Sequence, residues 1–528
     1  MAQAVGGEQG EGELAGKEEN DVVSRKFRRQ REEVLRGGAK GGERDEWRGK
    51  GTAVVRLLRI EQGGAYADIL SGAAAGEGAG GWEMEMQYVR RTLGFGVLPL
   101  EGRSRRQVTE LVAGVTRWRR YLDFLLSEFF SGSPRELERM EPLLKQILRL
   151  GMFELSKMDT PPFAAVNEAV KLARAALRPG AASLANAVLR AAARAKEEQG
   201  VLPVPSLHES MTDRDKARAL ATLHSHPVWM VRRWADRLGW REAERLMESN
   251  NARPVFALRA NTARGVLRSD LRALLQELPE VEIEDSPYLD DFVRVRAGMQ
   301  HVLSAGLIEA GTCNVQDESA GLVVRVLAPQ PGETVVDCCA APGGKAMYAA
   351  GLMHGAGRLV AVDVNEGRVR MVAQAAERQG LQHMVQCVTA DLRTYASSSP
   401  LRGSADRVLL DAPCSGLGVL AKRADLRWRR TVEGEEQLTA LQDELLDAAA
   451  SLVRPGGVLV YSTCSIEPPE NEDRVVEFLQ THPEFVLESL DSSVLPESML
   501  SRLRCFASLP HRHGIDGAFA ARLRKREG

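Results

Sequence analysis

Aromatic side chains are scarce in this chain of 528 residues, with Phe, Tyr and Trp making up 5% of it. Any core must therefore come from Leu, Val and Ala. Cysteine is scarcer still: there are seven, and none precedes Cys313. An odd number without regular pairs excludes a disulfide framework and fits reduced thiols inside a cell. No apolar run reaches the roughly 18 residues of a membrane span, which excludes a helical membrane protein. The first twenty residues are Gly- and Glu-rich and lack an apolar stretch, so they are not a secretory signal. They are also too acidic for a typical transit peptide, although the stretch from Val22 to Arg36 is basic. There is no surplus of charge, since 70 basic and 72 acidic residues leave a net −2. Any nucleic-acid surface must then come from local clustering. No C-x-x-C is present, and adjacent Cys338 and Cys339 point to opposite faces of a strand. A metal site is not expected.

A chain of this length predicts three or four domains. Residues 1–50 cannot bury enough apolar surface to offset ordering entropy, and disorder is expected there. Residues 71–81 read as a Gly-rich surface insertion. Residues 51–200 carry helical periodicity in VTELVAGVTRWRRYLDFLL, PLLKQILRLGMFELSKM, VNEAVKLARAAL and SLANAVLRAAARA. They predict an all-α bundle. Residues 201–253 continue as a helical connector, with Pro227 placed to start a helix and His224 and His226 expected at the surface or at caps. Residues 254–330 hold short β-leaning segments around one helix, a small α+β subdomain. From 331 to 526, ETVVDCCA, RLVAVDV, MVQCVTAD, DRVLLDAP and GGVLVYST alternate with helices. That pattern predicts a Rossmann-like parallel sheet covered on both faces.

Chemistry concentrates in this last domain. Cys414 and Cys464 each follow an apolar strand, in LLDAPCSGLG and VYSTCSIEPPENE. Strand ends are where open α/β sheets bind ligands. A thiolate needs little activation as a nucleophile, and two at neighbouring strand ends suggest covalent chemistry on an electrophilic ring carbon. The turn Ala341-Pro342-Gly343-Gly344 lets backbone approach a ligand, and the helix that follows presents free N–H groups. Asp363 comes twenty residues after Gly343, a spacing suited to ribose hydroxyls. Asp391 ends the next strand and is placed near an adenine. The turn lacks G-x-G-x-x-G and is not a Walker loop. A dinucleotide or ATP is therefore less expected than S-adenosylmethionine, which carries no phosphate. Asp411, three residues before Cys414, is the candidate acid. Cys338, Cys387 and Cys505 are expected to be inert core thiols.

The motifs DCCAAPGGK (337–345), LLDAPCSGLG (409–418), YSTCSIEPPENE (461–472) and GIDGAFAARLRK (514–525) resemble the RNA 5-cytosine methyltransferases of the Sun/Nop group. The helical part resembles a NusB-like RNA-binding domain, and the small subdomain an RRM-like one. The resemblance covers residues 51–525. It implies that Cys339, Ala340, Ala341, Pro342, Gly343, Gly344 and Lys345 form the cofactor loop, completed by Asp363, Asp391 and Asp411. It implies Cys464 as nucleophile on cytosine carbon 6 and Cys414 as an aid to product release. Ala346 departs from the family pattern, which usually has a hydroxyl residue there.

The implied partner is unassembled or early pre-ribosomal small-subunit rRNA, bound by a monomer without metal or membrane. The implied compartment is a bacterial-type cytoplasm or a plastid stroma. Lys422, Arg423, Arg427 and Trp428 form a cationic run with an interleaved aromatic, suited to phosphate contact and base stacking. Lys345, Lys422 and Arg423 are the cations expected to favour a Cys464 thiolate. The rival readings are a tRNA or DNA cytosine methyltransferase, or an RNA-binding antitermination module without activity.

Overall fold

A computed structural model describes residues 46–62, 79–97, 100, 102–492 and 495–527. Most of the stretch expected to be disordered, up to residue 45, lies outside these, as does the insertion from 71 to 78. The remainder of both corrects the expectation. Residues 46–50 belong to the helix Glu46–Gln62, and residues 79–81 open the helix Ala79–Leu93. Composition could not show that Lys50 is 2% exposed and pairs with Glu154 at 2.6 Å and with Glu168.

Two compact units divide the chain. One holds the described residues up to Trp240 together with Arg423–Asp425; the other holds Arg241–Lys422 and Leu426 onwards. The first is all helical. Its long helices Gly102–Phe129, Pro142–Lys157, Pro162–Ala176 and Pro179–Gln199 turn Leu, Val and Ala faces inward around one core. Gly114 makes close packing possible, since a Cβ there would come within 2.0 Å of the Phe153 ring. Pro227 caps the helix Val228–Leu238, as its position suggested. His226 is not at the surface: it is fully buried, its Nδ1 donates to the His224 carbonyl at 2.7 Å, and its ring meets the edge of buried Trp234.

The second unit has two sheets. The smaller is built from β1 (Phe256–Ala260), β2 (Glu282–Asp285), β3 (Phe292–Ala297) and β4 (Cys313–Val315), in the order β2-β3-β1-β4. All its pairings are antiparallel. The three-residue β4 is too short to show a pattern in the sequence.

The larger sheet carries β5 (Thr334–Asp337), β6 (Arg358–Asp363), β7 (Val385–Thr389), β8 (Ala405–Asp411) and β9 (Val453–Thr463), all parallel, in the order β9-β8-β5-β6-β7. Beyond β9 the expected parallel pattern fails. Strand β12 (Ala518–Lys525) runs antiparallel to β9, and β10 (Phe485–Leu487) and β11 (Phe506–Ser508) pair antiparallel to β12. Its composition also differs from that of the parallel strands. Central parallel strands are apolar on both faces. In β12, Leu523 is buried while Arg522 and Arg524 both reach Glu488. The parallel strands end together, which brings the loops after β5, β6, β8 and β9 to one edge.

Candidate active site

The loop after β5 is shaped by its glycines and by the next strand. Gly343 adopts φ +103°, a region in which side chains are strained, and the helix Gly344–Leu352 starts directly after it. The Ala341–Pro342 peptide is cis. Asp363, at the end of β6, accepts the Ala341 amide on Oδ2 at 3.2 Å and the Asn365 amide on Oδ1 at 3.0 Å. Arg368 donates to the Ala341 carbonyl at 2.6 Å. Ala340 and Ala341 are buried beneath the turn. Burial pushes the Cys339 thiol well up, so it stays protonated.

Asp391 stands differently from its expected place. Strand β7 stops at Thr389, and Asp391 caps the helix Leu392–Ser398. Arg393 donates to both of its oxygens, at 3.0 and 2.5 Å, and holds the carboxyl down at about 2.

The ends of β8 and β9 carry the two cysteines. Their sulfurs are 3.3 Å apart. The Cys414 thiol is pushed well up, first by its contact with Cys464 and then by burial. The same contact lowers Cys464, against burial and the negative charge of Asp411, with Lys345 assisting. One sulfur therefore keeps the proton and the other more readily gives it up.

Lys345 reaches across to Asp411 at 2.7 Å, and Ser462 donates to the other Asp411 oxygen at 2.9 Å. Burial alone would lower the Lys345 ammonium, but the Asp411 charge more than offsets it and holds it above its ordinary range. Lys345 is thus the expected cation that does stand beside Cys464.

The other expected cations need correction. Lys422 is largely buried and bridges Asp317 and Asp516, the latter at 2.9 Å. Arg427 is fully buried and donates to the Asn251 side chain at 2.9 Å and the Asn250 carbonyl at 3.2 Å. Neither is free for phosphate. A run of charges in a sequence cannot reveal that its members point inward. Arg423 pairs with Asp425 at 3.7 Å, and Trp428 keeps partial exposure. Of the inert-thiol candidates, Cys338 and Cys505 are buried while Cys387 is only half-buried.

The profile of the 16S rRNA methyltransferase RsmB/F family matches residues 324–524. That of the NusB family matches 80–194, and that of the RsmF/B-like ferredoxin-like domain matches 226–301. The probable ribosomal RNA small subunit methyltransferase B of Bacillus subtilis is 32% identical over 479 residues, covering 90% of this chain and 98% of its own. The chain belongs to the RsmB/F family of 16S rRNA methyltransferases. The corresponding Synechocystis protein is 35% identical and covers 81% of this chain and 92% of its own. The crystal structure of PH0851 superimposes with a TM-score of 0.70 at 26% identity, over 90% of this chain and 99% of that one. A methyltransferase homolog from Pyrococcus horikoshii gives 0.50 at 27% identity, over 60% and 100%. This RsmB/F chain thus has a NusB domain, a ferredoxin-like domain and a Rossmann-like methyltransferase domain.

Residues that were given no role in the sequence also gather at this RsmB/F site. Asp337 ends β5, is 1% exposed, and has only the Cys339 amide facing its carboxylate. Burial, with Asp411 nearby, pushes its carboxyl up to about 7. Gln316 is 6% exposed, with both amide atoms unpartnered. Its Nε2 lies 3.8 Å from where a Cβ on Gly344 would stand. Sequence held one signal for Asp337, an acid at a strand end, and none for Gln316.

Asp337 gives a pH prediction. The folded chain keeps this proton where the unfolded chain has lost it, so stability falls as pH rises from 3.8 to about 7. The ionised form costs on the order of a few kcal/mol. Asp337→Asn should therefore raise the melting temperature at pH 8 while matching the parent near pH 4. Parallel melting curves across that range would refute the assignment.

Proposed function

We propose that the chain transfers a methyl group from S-adenosylmethionine to carbon 5 of a cytosine in small-subunit rRNA, through a transient bond between Cys464 and the base. The observation that carries this reading is the sulfur pair at 3.3 Å, seated at strand ends beside the Lys345–Asp411 bridge.

The residues around the Gly343 turn suit the cofactor. The turn approaches closely, the helix N-terminus favours a carboxylate, and the unpartnered Gln316 amide offers a donor and an acceptor. Leaving such groups unpaired costs about 1–3 kcal/mol each, which a ligand could recover. When bound, S-adenosylmethionine supplies an electrophilic methyl on a sulfonium. Asp363 would stand by its ribose.

Carbon 5 of cytosine is a poor nucleophile. Attack of the Cys464 thiolate on carbon 6 breaks the aromaticity and moves electron density to carbon 5. Negative charge then grows at ring nitrogen 3. Asp411 alone is a poor donor because it already pairs with Lys345, so the pair together would hold the proton there. After methylation, Cys414, once deprotonated, takes the carbon-5 proton, and the electron pair left behind re-forms the ring double bond and expels Cys464 as a thiolate. The target base must be unstacked to reach this site.

The test is incubation of the full chain with labelled S-adenosylmethionine and unassembled small-subunit rRNA, followed by bisulfite mapping. One protected cytosine is expected. Label on another base, or RNA binding without incorporation, would overturn the proposal. Methylation of tRNA alone would replace its substrate.

A further inference from the structure

The segment Pro468–Asn471 follows the second cysteine, and the chemistry above leaves it unused. It forms one short turn whose last two side chains run back into the two cysteine loops. Glu470 is fully buried. Its Oε1 accepts the Ser415 amide at 2.7 Å and the Gln442 side chain at 3.1 Å, and its Oε2 accepts the Ser415 hydroxyl at 2.5 Å. Gln442 also donates to the Pro413 carbonyl at 2.9 Å. Residues on both sides of Cys414 are therefore tied to one carboxylate.

Asn471 does the same for the other loop. Its Nδ2 donates to the Ser465 carbonyl at 3.1 Å, and its Oδ1 accepts the Thr463 hydroxyl at 2.6 Å. Those residues flank Cys464. The Ser415 and Ser465 hydroxyls meet at 3.1 Å, closing the bracket. Arg430 completes the Cys414 side, donating to the Ser415 carbonyl at 2.7 Å and the Cys414 carbonyl at 3.1 Å.

We propose that Glu470 is a positioning residue that sets the separation of the two sulfurs, with Asn471 holding the second loop against it. The inference rests on the reading of Cys464 as the nucleophile. A buried carboxylate with three donors on it is a stiff anchor, because losing it would leave those donors unpaired in the interior. Its charge acts as well. Cys464 is faced by the Cys414 thiol, by Asp411 at the end of β8, by Lys345 from its helix and by Glu470. Glu470 is one of the two carboxylates opposing ionisation, and Lys345 is the cation favouring it.

The test uses the full chain and needs no methyl transfer. Iodoacetamide alkylation of Cys464 and Cys414 is followed across pH by peptide mass spectrometry, alongside S-adenosylhomocysteine binding and thermal melting. In E470A the Cys414 loop loses its anchor. The preference for alkylating Cys464 over Cys414 should fall by about tenfold, and the Cys464 midpoint should rise as the contact with Cys414 is lost. In E470Q, Oε1 can still take the Ser415 amide, so the preference stays. With one negative charge gone, the Cys464 midpoint should move to lower pH. Wild-type preference and midpoint in E470A would overturn the proposal. If E470A fails to fold, E470Q decides it, and an unmoved midpoint counts against it. Should Cys464→Ala keep its methyl transfer while these shifts appear, the nucleophile assignment fails and the positioning role stands.

Discussion

Cys464→Ala should abolish methyl transfer, by at least about ten-thousand-fold in turnover, the scale on which removing a covalent catalyst acts. The loss follows from the step proposed for that sulfur. Without attack on carbon 6, carbon 5 stays in an aromatic ring and has no electron pair to offer. Cofactor binding should survive, because the loop from Cys339 to Lys345 is held by Asp363 and Arg368 and by its own glycines. Lys345 keeps its bridge to Asp411, and β9 keeps its register with β8. Binding of S-adenosylhomocysteine by calorimetry should thus match the parent within about twofold, since no direct contact is lost. Turnover within tenfold of the parent would show that the methyl reaches its target without this thiol.

The sequence made some parts of this site visible and hid others, for physical reasons. Cys414, Cys464, Asp363 and Asp411 stand at ends of apolar strands, and a strand end shows wherever a Val/Leu run stops. The structure brings the two cysteines, Asp411 and Lys345 together as adjacent strands require. Buried polar residues left no such trace. Gln442 looks in sequence like an ordinary surface residue and Glu470 like an acidic motif letter of no stated role, yet both are fully buried and joined to each other beneath the Cys414 loop. Lys422 and Arg427 failed for the same reason in reverse, since a Lys/Arg run reads as a wet surface. Asp317 and Asp516, which hold Lys422, are 199 residues apart in the chain, and that pairing exists only once the fold does. The helical bundle was legible from Leu and Ala spacing. The antiparallel β12 was not, because Ala518–Ala521 are all buried and only its end alternates, a pattern that says nothing of direction.

Cys414→Ala should produce the opposite defect from the nucleophile variant: attack without release. In the resting site Cys414 keeps its proton largely because the neighbouring sulfur is the better thiolate. Once Cys464 is bonded to carbon 6, that sulfur carries no charge and no longer favours a proton on its neighbour. The first-named cause of the raised Cys414 thiol is then gone. With its own proton released, Cys414, 3.3 Å from the adduct sulfur, can then take the carbon-5 proton in the elimination that expels Cys464 as a thiolate. Alanine cannot, so the covalent protein–RNA species should persist and appear on a denaturing gel as a slower band that depends on cofactor. Multiple-turnover rate should fall by about 10²–10⁴-fold, the range for removing a positioned acid–base group, while the first methyl transfer stays close to the parent. Absence of the band, with single-turnover methylation also lost, would exchange the roles of the two thiols. Accumulation in Cys464→Ala in place of Cys414→Ala would do the same.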